Sequence, residues 1–236
     1  MKTTASYLLL HGYGETPEVW NKITKVLKDG ELIPVDLMIL FHQSTGEATF
    51  AKLAERILTS LTGKAADRFT IIANSMGGYL AMELLEQHCE LFNRVILIST
   101  HPFADNPDKI IRRQREAELI RKGKAKTLFQ ASSQAYTEPI RRSLEVMWQT
   151  WSEAALINAL DAMQTRESRV ETLANSTIPV RFIIGDNDVN IDASRLQATF
   201  VNNPNIVTTT IAGQDHWMLH HWHPNFATRL AKSIID

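Results

Sequence analysis

The stretch Phe69-Thr-Ile-Ile-Ala-Asn-Ser75-Met-Gly-Gly-Tyr-Leu-Ala-Met-Glu-Leu84 decides the reading of this chain. An apolar, β-branched run ends at a serine, and a helical pattern starts at once, with Leu80, Ala81, Leu84 and Leu85 on one face. A sharp strand-to-helix turn holds a serine hydroxyl clear of its neighbours, and crowding there demands small residues two before and two after it. Ala73 and Gly77 occupy those places. The helix N-terminus also points backbone N–H groups toward any negative charge that develops beside Ser75. Serine is a favoured N-cap in any case, so the turn alone does not establish chemistry. Its surroundings have to.

Working outward, short apolar runs alternate with helical patterns. Tyr7–Leu10, Leu32–Val35, Phe69–Ala73, Val95–Ser99, Val180–Ile184 and Thr208–Ala212 read as strands. Pro17–Leu27, Phe50–Leu61, Gly77–His88 and Phe226–Ile235 read as helices. Continuous Val- and Ile-rich runs suit strands buried on both faces of a mostly parallel sheet, so the fold class is α/β. From about Pro102 to Val170 no strand pattern occurs. Three helical patterns fill that interval: Ile110–Lys122, Pro139–Trp151 and Ala154–Met163. The expected organisation is a core of residues 1–101 and 171–236, with residues 102–170 as a helical insertion after a fifth or sixth strand, lying over the sheet.

A serine alcohol needs a base to take its proton and a carboxylate to orient that base. The strand ending at Ile184 runs into Gly185-Asp186-Asn187-Asp188, which offers two carboxylates. The last strand runs into Gly213-Gln-Asp-His216-Trp217, which offers the base. Ser, Asp and His thus follow in that order, each just after a strand. Acyl transfer also needs two backbone N–H donors facing the oxyanion. The loop His11-Gly12-Tyr13-Gly14, after the first strand, and the residue following the serine can supply them, which assigns Tyr13 and Met76.

These segments together resemble the α/β-hydrolase superfamily, and within it the small capped carboxylesterase-like members. His11-Gly12-Tyr13-Gly14 resembles the family's oxyanion loop, and Asn74-Ser75-Met76-Gly77-Gly78 its His-Ser-Met-Gly-Gly nucleophile turn, with Asn74 in place of histidine. Gly185-Asp186-Asn187-Asp188 resembles the Gly-x-x-Asp acid loop, which selects Asp188. Gly213-Gln-Asp-His216 resembles the Gly-x-Gly-His loop, with Asp215 where glycine is usual. Val35 to Ser44 keeps the Asp of an Asp-x-x-Gly-x-Gly-x-Ser loop, as Asp36, but lacks its glycines, so that loop must be rebuilt. The resemblance runs through the whole chain and implies a serine hydrolase that cleaves a small acyl ester without a cofactor. It leaves two alternatives: a triad-bearing lyase or synthase resembling the menaquinone-pathway members, and a non-catalytic binding protein on the same scaffold.

The other features define expectations around that site. Trp148, Trp151, Met147 and Met163 suggest an apolar lining for the substrate, with His101 and Trp217 as further contacts at strand ends. His216 and His220 sit four apart, as in a zinc pair, but Pro224 interrupts a continuous helix, so no metal is expected. His220, His221 and His223 read as surface or packing residues. Arg112-Arg113-Gln114-Arg115, with Arg121, Lys122, Lys124 and Lys126, is locally basic. Interleaved Glu116 and Glu118 make a solvated face the first reading. Resemblance to pimeloyl-carrier methyl esterases makes docking of an acidic acyl carrier protein the second. A net charge of −1 over 236 residues gives no reason to expect nucleic acid or anionic lipid as partner. The single cysteine, Cys89, rules out an internal disulfide. With no apolar stretch near about 18 residues and no leader pattern, a cytoplasmic location is expected.

Overall fold

A computed structural model describes residues 5–62, 68–133 and 138–235. Six strands form one sheet: β1 (Ser6–Leu10), β2 (Glu31–Val35), β3 (Phe69–Asn74), β4 (Phe92–Ile98), β5 (Val180–Gly185) and β6 (Ile206–Ile211). Their order is β2-β1-β3-β4-β5-β6, and all five pairings are parallel. Parallel neighbours need crossovers, and these are mostly helices: α1 (Leu37–His42), α2 (Phe50–Leu61), α3 (Met76–His88), α4 (Pro107–Arg121), α5 (Ala125–Ser133), α6 (Glu138–Thr150), α7 (Glu153–Thr165), α8 (Val170–Ala174) and α9 (Ala193–Thr199). The chain closes with α10 (Met218–His221) and α11 (Pro224–Ile235).

The period-two geometry of a strand sorts the apolar runs onto two faces. Leu8, Leu10, Ile71, Val95, Leu97 and Phe182 face α2 and α3, whose Leu53, Ile57, Leu80 and Leu84 are also buried. Leu9, Ile72, Ile96, Ile98 and Ile183 face the opposite layer, with Trp20, Ile23, Phe226 and Leu230. Each fully buried Leu, Ile or Phe contributes roughly 1.5–3 kcal/mol against leaving it in water. That burial on both sides is why these strands read as unbroken apolar runs.

Three local outcomes differ from the sequence expectation. Pro17–Leu27 is not one α-helix but two short 3₁₀ turns, Pro17–Trp20 and Ile23–Lys25, with no side chain capping either start. Burial of Trp20, Ile23 and Leu27 holds this segment on the sheet without a continuous helical ladder. The glycine-free segment after Asp36 forms α1, whose first turn the Asp36 carboxylate caps by accepting the Ile39 N–H at 3.0 Å. The helical interval follows the fourth strand rather than a fifth or sixth, and it holds four substantial helices, α4 to α7, of which α5 was not foreseen. Residues 134–137 and the side chains of Ile140, Leu144 and Met147 lie outside the described residues.

Within this layer α7 packs on both α4 and α1. Its Ala155, Leu156, Ala159, Leu160 and Met163 are buried. Two polar contacts fix it to α1: Asn158 donates to the Phe41 carbonyl at 3.0 Å, and His42 Nδ1 lies 2.8 Å from Ser152 Oγ. The layer is thereby held over the C-terminal ends of the strands.

Candidate active site

Ser75 stands between β3 and α3 with φ 48° and ψ −114°, a conformation non-glycine residues avoid. The surroundings enforce it. The Ser75 N–H donates to the Ile98 carbonyl on β4 at 2.9 Å, and the Gly78 N–H returns to the Ser75 carbonyl at 2.9 Å. A Cβ at Gly77 would lie 2.2 Å from the Leu10 carbonyl oxygen, so only glycine lets α3 start this close to β1. Ala73 is fully buried at the position where a small residue was anticipated.

The structure brings Ser75, His216 and Asp188 together from three strand ends. Ser75 Oγ lies 2.9 Å from His216 Nε2, and His216 Nδ1 lies 2.8 Å from Asp188 Oδ2. Carboxylate oxygens only accept, so Nδ1 carries the proton and Nε2 is free to accept from the serine hydroxyl. Asp188 is buried and also accepts the Asn190 N–H at 2.9 Å, whereas Asp186 is exposed. The acid and base loops are pressed together: the Asn187 N–H donates to the Gln214 carbonyl at 2.9 Å, and a Cβ at Gly185 would come within 2.2 Å of that oxygen. Asp215 turns the other way, accepting the Trp217 N–H at 2.8 Å and facing His221 at 3.2 Å.

A cavity of about 220 Å³ opens beside Ser75 and His216. Tyr13, His101 and Trp217 line it, as does Met163. Met76 is fully buried as the first residue of α3, directly after Ser75. Trp148 and Trp151 do not line the cavity. Trp148 stacks on Phe129 with centroids 4.2 Å apart and packs against Gly14, and the Trp151 indole N–H donates to the Gly14 carbonyl at 3.1 Å. Both tryptophans buttress the back of the Gly12–Gly14 loop. The α4 side of the cavity is instead charged, with Lys109, Arg112, Arg113 and Glu116 turned toward it, while Tyr79, Met163, Ile191 and Trp217 line other parts. Burial pushes the Tyr13 phenol well up and the Glu116 carboxyl up as well, each near the other.

The profile of the alpha/beta hydrolase family matches residues 7–228. The chain belongs to the alpha/beta hydrolase family. Solved structures agree in fold. A carboxylesterase structure from Nitrososphaera gargenis has a TM-score of 0.84 at 19% identity, over 98% of this chain and 90% of its own. The esterase EaEST from Exiguobacterium antarcticum reaches 0.85 at 15% identity, covering 100% and 94%. MenH from S. aureus reaches 0.82 at 17% identity, covering 99% and 94%. No curated protein sequence matches the chain.

Against its alpha/beta hydrolase frame, this chain carries a polar network that the sequence did not reveal. Glu15 is 2% exposed, yet its carboxylate accepts the Gly12 N–H at 2.5 Å, the Asn74 amide at 3.2 Å and His220 Nε2 at 2.8 Å. Burial raises its pKa, but the hydrogen bond and charge of His220 outweigh that and leave it lowered. His220, read as a surface or packing residue, is thus a buried partner of Glu15, while His223 is exposed. His11 is fully buried: Nδ1–H donates to the Gly12 carbonyl at 2.8 Å, and Nε2 accepts the Leu37 N–H at 3.0 Å. Asn74, where the family pattern has histidine, fits this network by donating to Glu15. Among the described residues no three His, Cys, Asp or Glu side chains converge as metal ligands, and no helix is long and apolar enough to cross a membrane.

Proposed function

We propose that this alpha/beta hydrolase cleaves a carboxylic ester of a small substrate through an acyl-enzyme on Ser75. The observation that carries the reading is the hydrogen-bonded relay Ser75 Oγ–His216 Nε2, His216 Nδ1–Asp188 Oδ2. The esterases among the structural neighbours are consistent with it. Ser75 Oγ attacks the carbonyl carbon while His216 Nε2 takes the hydroxyl proton, and Asp188 stabilises the imidazolium. The charge on the former carbonyl oxygen falls to the Tyr13 and Met76 N–H groups, each such donor being worth about 2.7–4 kcal/mol of barrier. The tetrahedral adduct collapses, the C–O bond to the alcohol breaks, and His216 returns the proton to the departing oxygen. Water, deprotonated by His216, then repeats the attack and releases the acid. In this reading the helices of residues 102–170 act as a cap that shapes the cavity. His101 and Trp217 contact substrate, and Trp148 and Trp151 act indirectly through Gly14.

Turnover of a 4-nitrophenyl ester series from acetyl to dodecanoyl, by wild type and Ser75→Ala, tests this. Hydrolysis that falls by roughly 10⁴-fold or more in the variant supports it. A folded wild-type protein that turns over none of the series contradicts it and favours the lyase chemistry open to the same relay.

A further inference from the structure

The α4 wall of the cavity has cations in excess of partners. Asp105 is saturated, because Arg113 Nε meets one of its oxygens at 2.5 Å and Arg166 Nη2 the other at 2.8 Å. Lys109 is half-buried, lines the cavity and makes no ion pair among the described residues. Among the described residues its ammonium has one hydrogen-bond partner, a neutral acceptor, His101 Nε2, at 3.3 Å. Since Nε2 accepts, the proton of His101 sits on Nδ1, and that atom has no partner among the described residues although His101 is only 6% exposed. Burial, followed by the Lys109 charge, lowers the His101 pKa to about 3, so the ring is neutral at ordinary pH. Arg112 lines the same wall and is exposed. Among the described residues two carboxylates line the cavity: Glu15, held by Gly12, Asn74 and His220, and Glu116 of α4, which lies against Tyr13 with Arg113 and Arg112 as its neighbouring charges. A half-buried ammonium whose side-chain acceptor is a neutral ring nitrogen is better satisfied by an anionic ligand entering the cavity.

We propose that the substrate carries a carboxylate, seated on Lys109 with Arg112 at the cavity rim, while its ester carbonyl lies at Ser75. This deepens the hydrolase reading and rests on it for the reaction, though not for the anion site itself. It shifts the expectation of a wholly apolar acyl pocket, since Trp148 and Trp151 lie elsewhere while Met163 and Trp217 keep part of the lining apolar.

Two ester pairs read the preference: mono-4-nitrophenyl adipate against 4-nitrophenyl hexanoate, with the charge on the acyl side, and 4-acetoxybenzoate against its methyl ester, with the charge on the alcohol side. In wild type at least one pair is expected to show a kcat/KM ratio of about tenfold or more for the anion. Lys109→Met is expected to cut that ratio to below about threefold, and Lys109→Arg to retain most of it. Calorimetry with adipate, which cannot be turned over, reads the site without the reaction, with Kd expected to weaken about tenfold in Lys109→Met. No preference in either pair, a preference that survives Lys109→Met, or adipate binding indifferent to Lys109 would each overturn the proposal. Lys109-dependent adipate binding without turnover of any ester would uphold the anion site and sink the hydrolase reading instead.

Discussion

Glu15 Oε1 and His220 Nε2, 205 residues apart in the chain, meet at 2.8 Å in a buried contact. The contact ties the loop after β1 to the helix that follows the His216 loop. Through its other oxygen Glu15 fixes the Gly12 N–H at 2.5 Å, so the backbone that carries Tyr13, the proposed oxyanion donor, is anchored to the element that follows His216. Glu15→Gln keeps the volume and removes the charge that both donors face. The expected result is a kcat on 4-nitrophenyl esters lower by about 10- to 100-fold with KM changed less than about threefold, since small misplacement of a donor acts in the transition state. An unaltered kcat in a folded variant would remove Glu15 from the account.

Trp151 supports the same loop from the helical layer through its indole N–H bond to the Gly14 carbonyl. Trp151→Phe deletes that bond, at a net cost of about 1 kcal/mol, along with part of the ring surface packed on the core. A loss of roughly fivefold in kcat/KM is expected for short and long acyl chains alike. A loss confined to long chains would instead mark Trp151 as a substrate contact.

Gly77→Ala probes the approach of α3 to β1, where the added methyl meets the Leu10 carbonyl oxygen at 2.2 Å. Overpacking of this kind costs about 1–3 kcal/mol, and here the obstacle is backbone. A lower melting temperature is expected together with near-complete loss of esterase activity, because the same shift displaces Ser75. Full activity in the variant would show that the turn tolerates more relaxation than its geometry implies.

Asp105, shielded from solvent between Arg113 and Arg166, gives the fold a pH signature. Burial pushes its carboxyl up, but hydrogen bonds from Arg166 and Arg113 prevail and hold the pKa at about 2, against an ordinary 3.8. A carboxylate with a depressed folded pKa contributes stability that is present above about pH 4 and lost as pH falls toward 2. Asp105→Asn leaves two guanidinium groups uncompensated, a loss of about 3–5 kcal/mol. Thermal melts are expected to place the variant roughly 10 °C below wild type at pH 7, with the gap narrowing between pH 4 and pH 2. A gap that stays constant across that window would contradict the ion-pair assignment.

Most of the sheet was legible because its strands are buried on both faces, which leaves unbroken runs such as Val95–Ile98 and Phe182–Ile184. The cluster of Ser75, Asp188 and His216 was legible for a related reason. Each follows a strand end, and parallel strands bring their C-terminal ends to one edge. Buried charge left no such trace. Glu15 reads as an ordinary loop acid and His220 as one histidine among four, and only the fold makes them partners. The basic run divides: Arg115 and Arg121 on α4, and Lys122 and Lys124 just after it, are solvent-exposed, while Arg113 turns inward to Asp105. Aromatic residues misled for the opposite reason. Trp148 and Trp151 carry an apolar-pocket signature, but they pack on Phe129 and Gly14 and line a separate cavity that does not include Ser75.

The most direct measurement on the central claim, that Ser75 is a nucleophile activated by His216 and Asp188, is covalent labelling by a fluorophosphonate with the adduct located by peptide mass spectrometry. The account predicts a single adduct on Ser75, absent in Ser75→Ala and formed at least about 100-fold more slowly in His216→Ala. An adduct at another residue, or labelling of Ser75 at the same rate without His216, would contradict it.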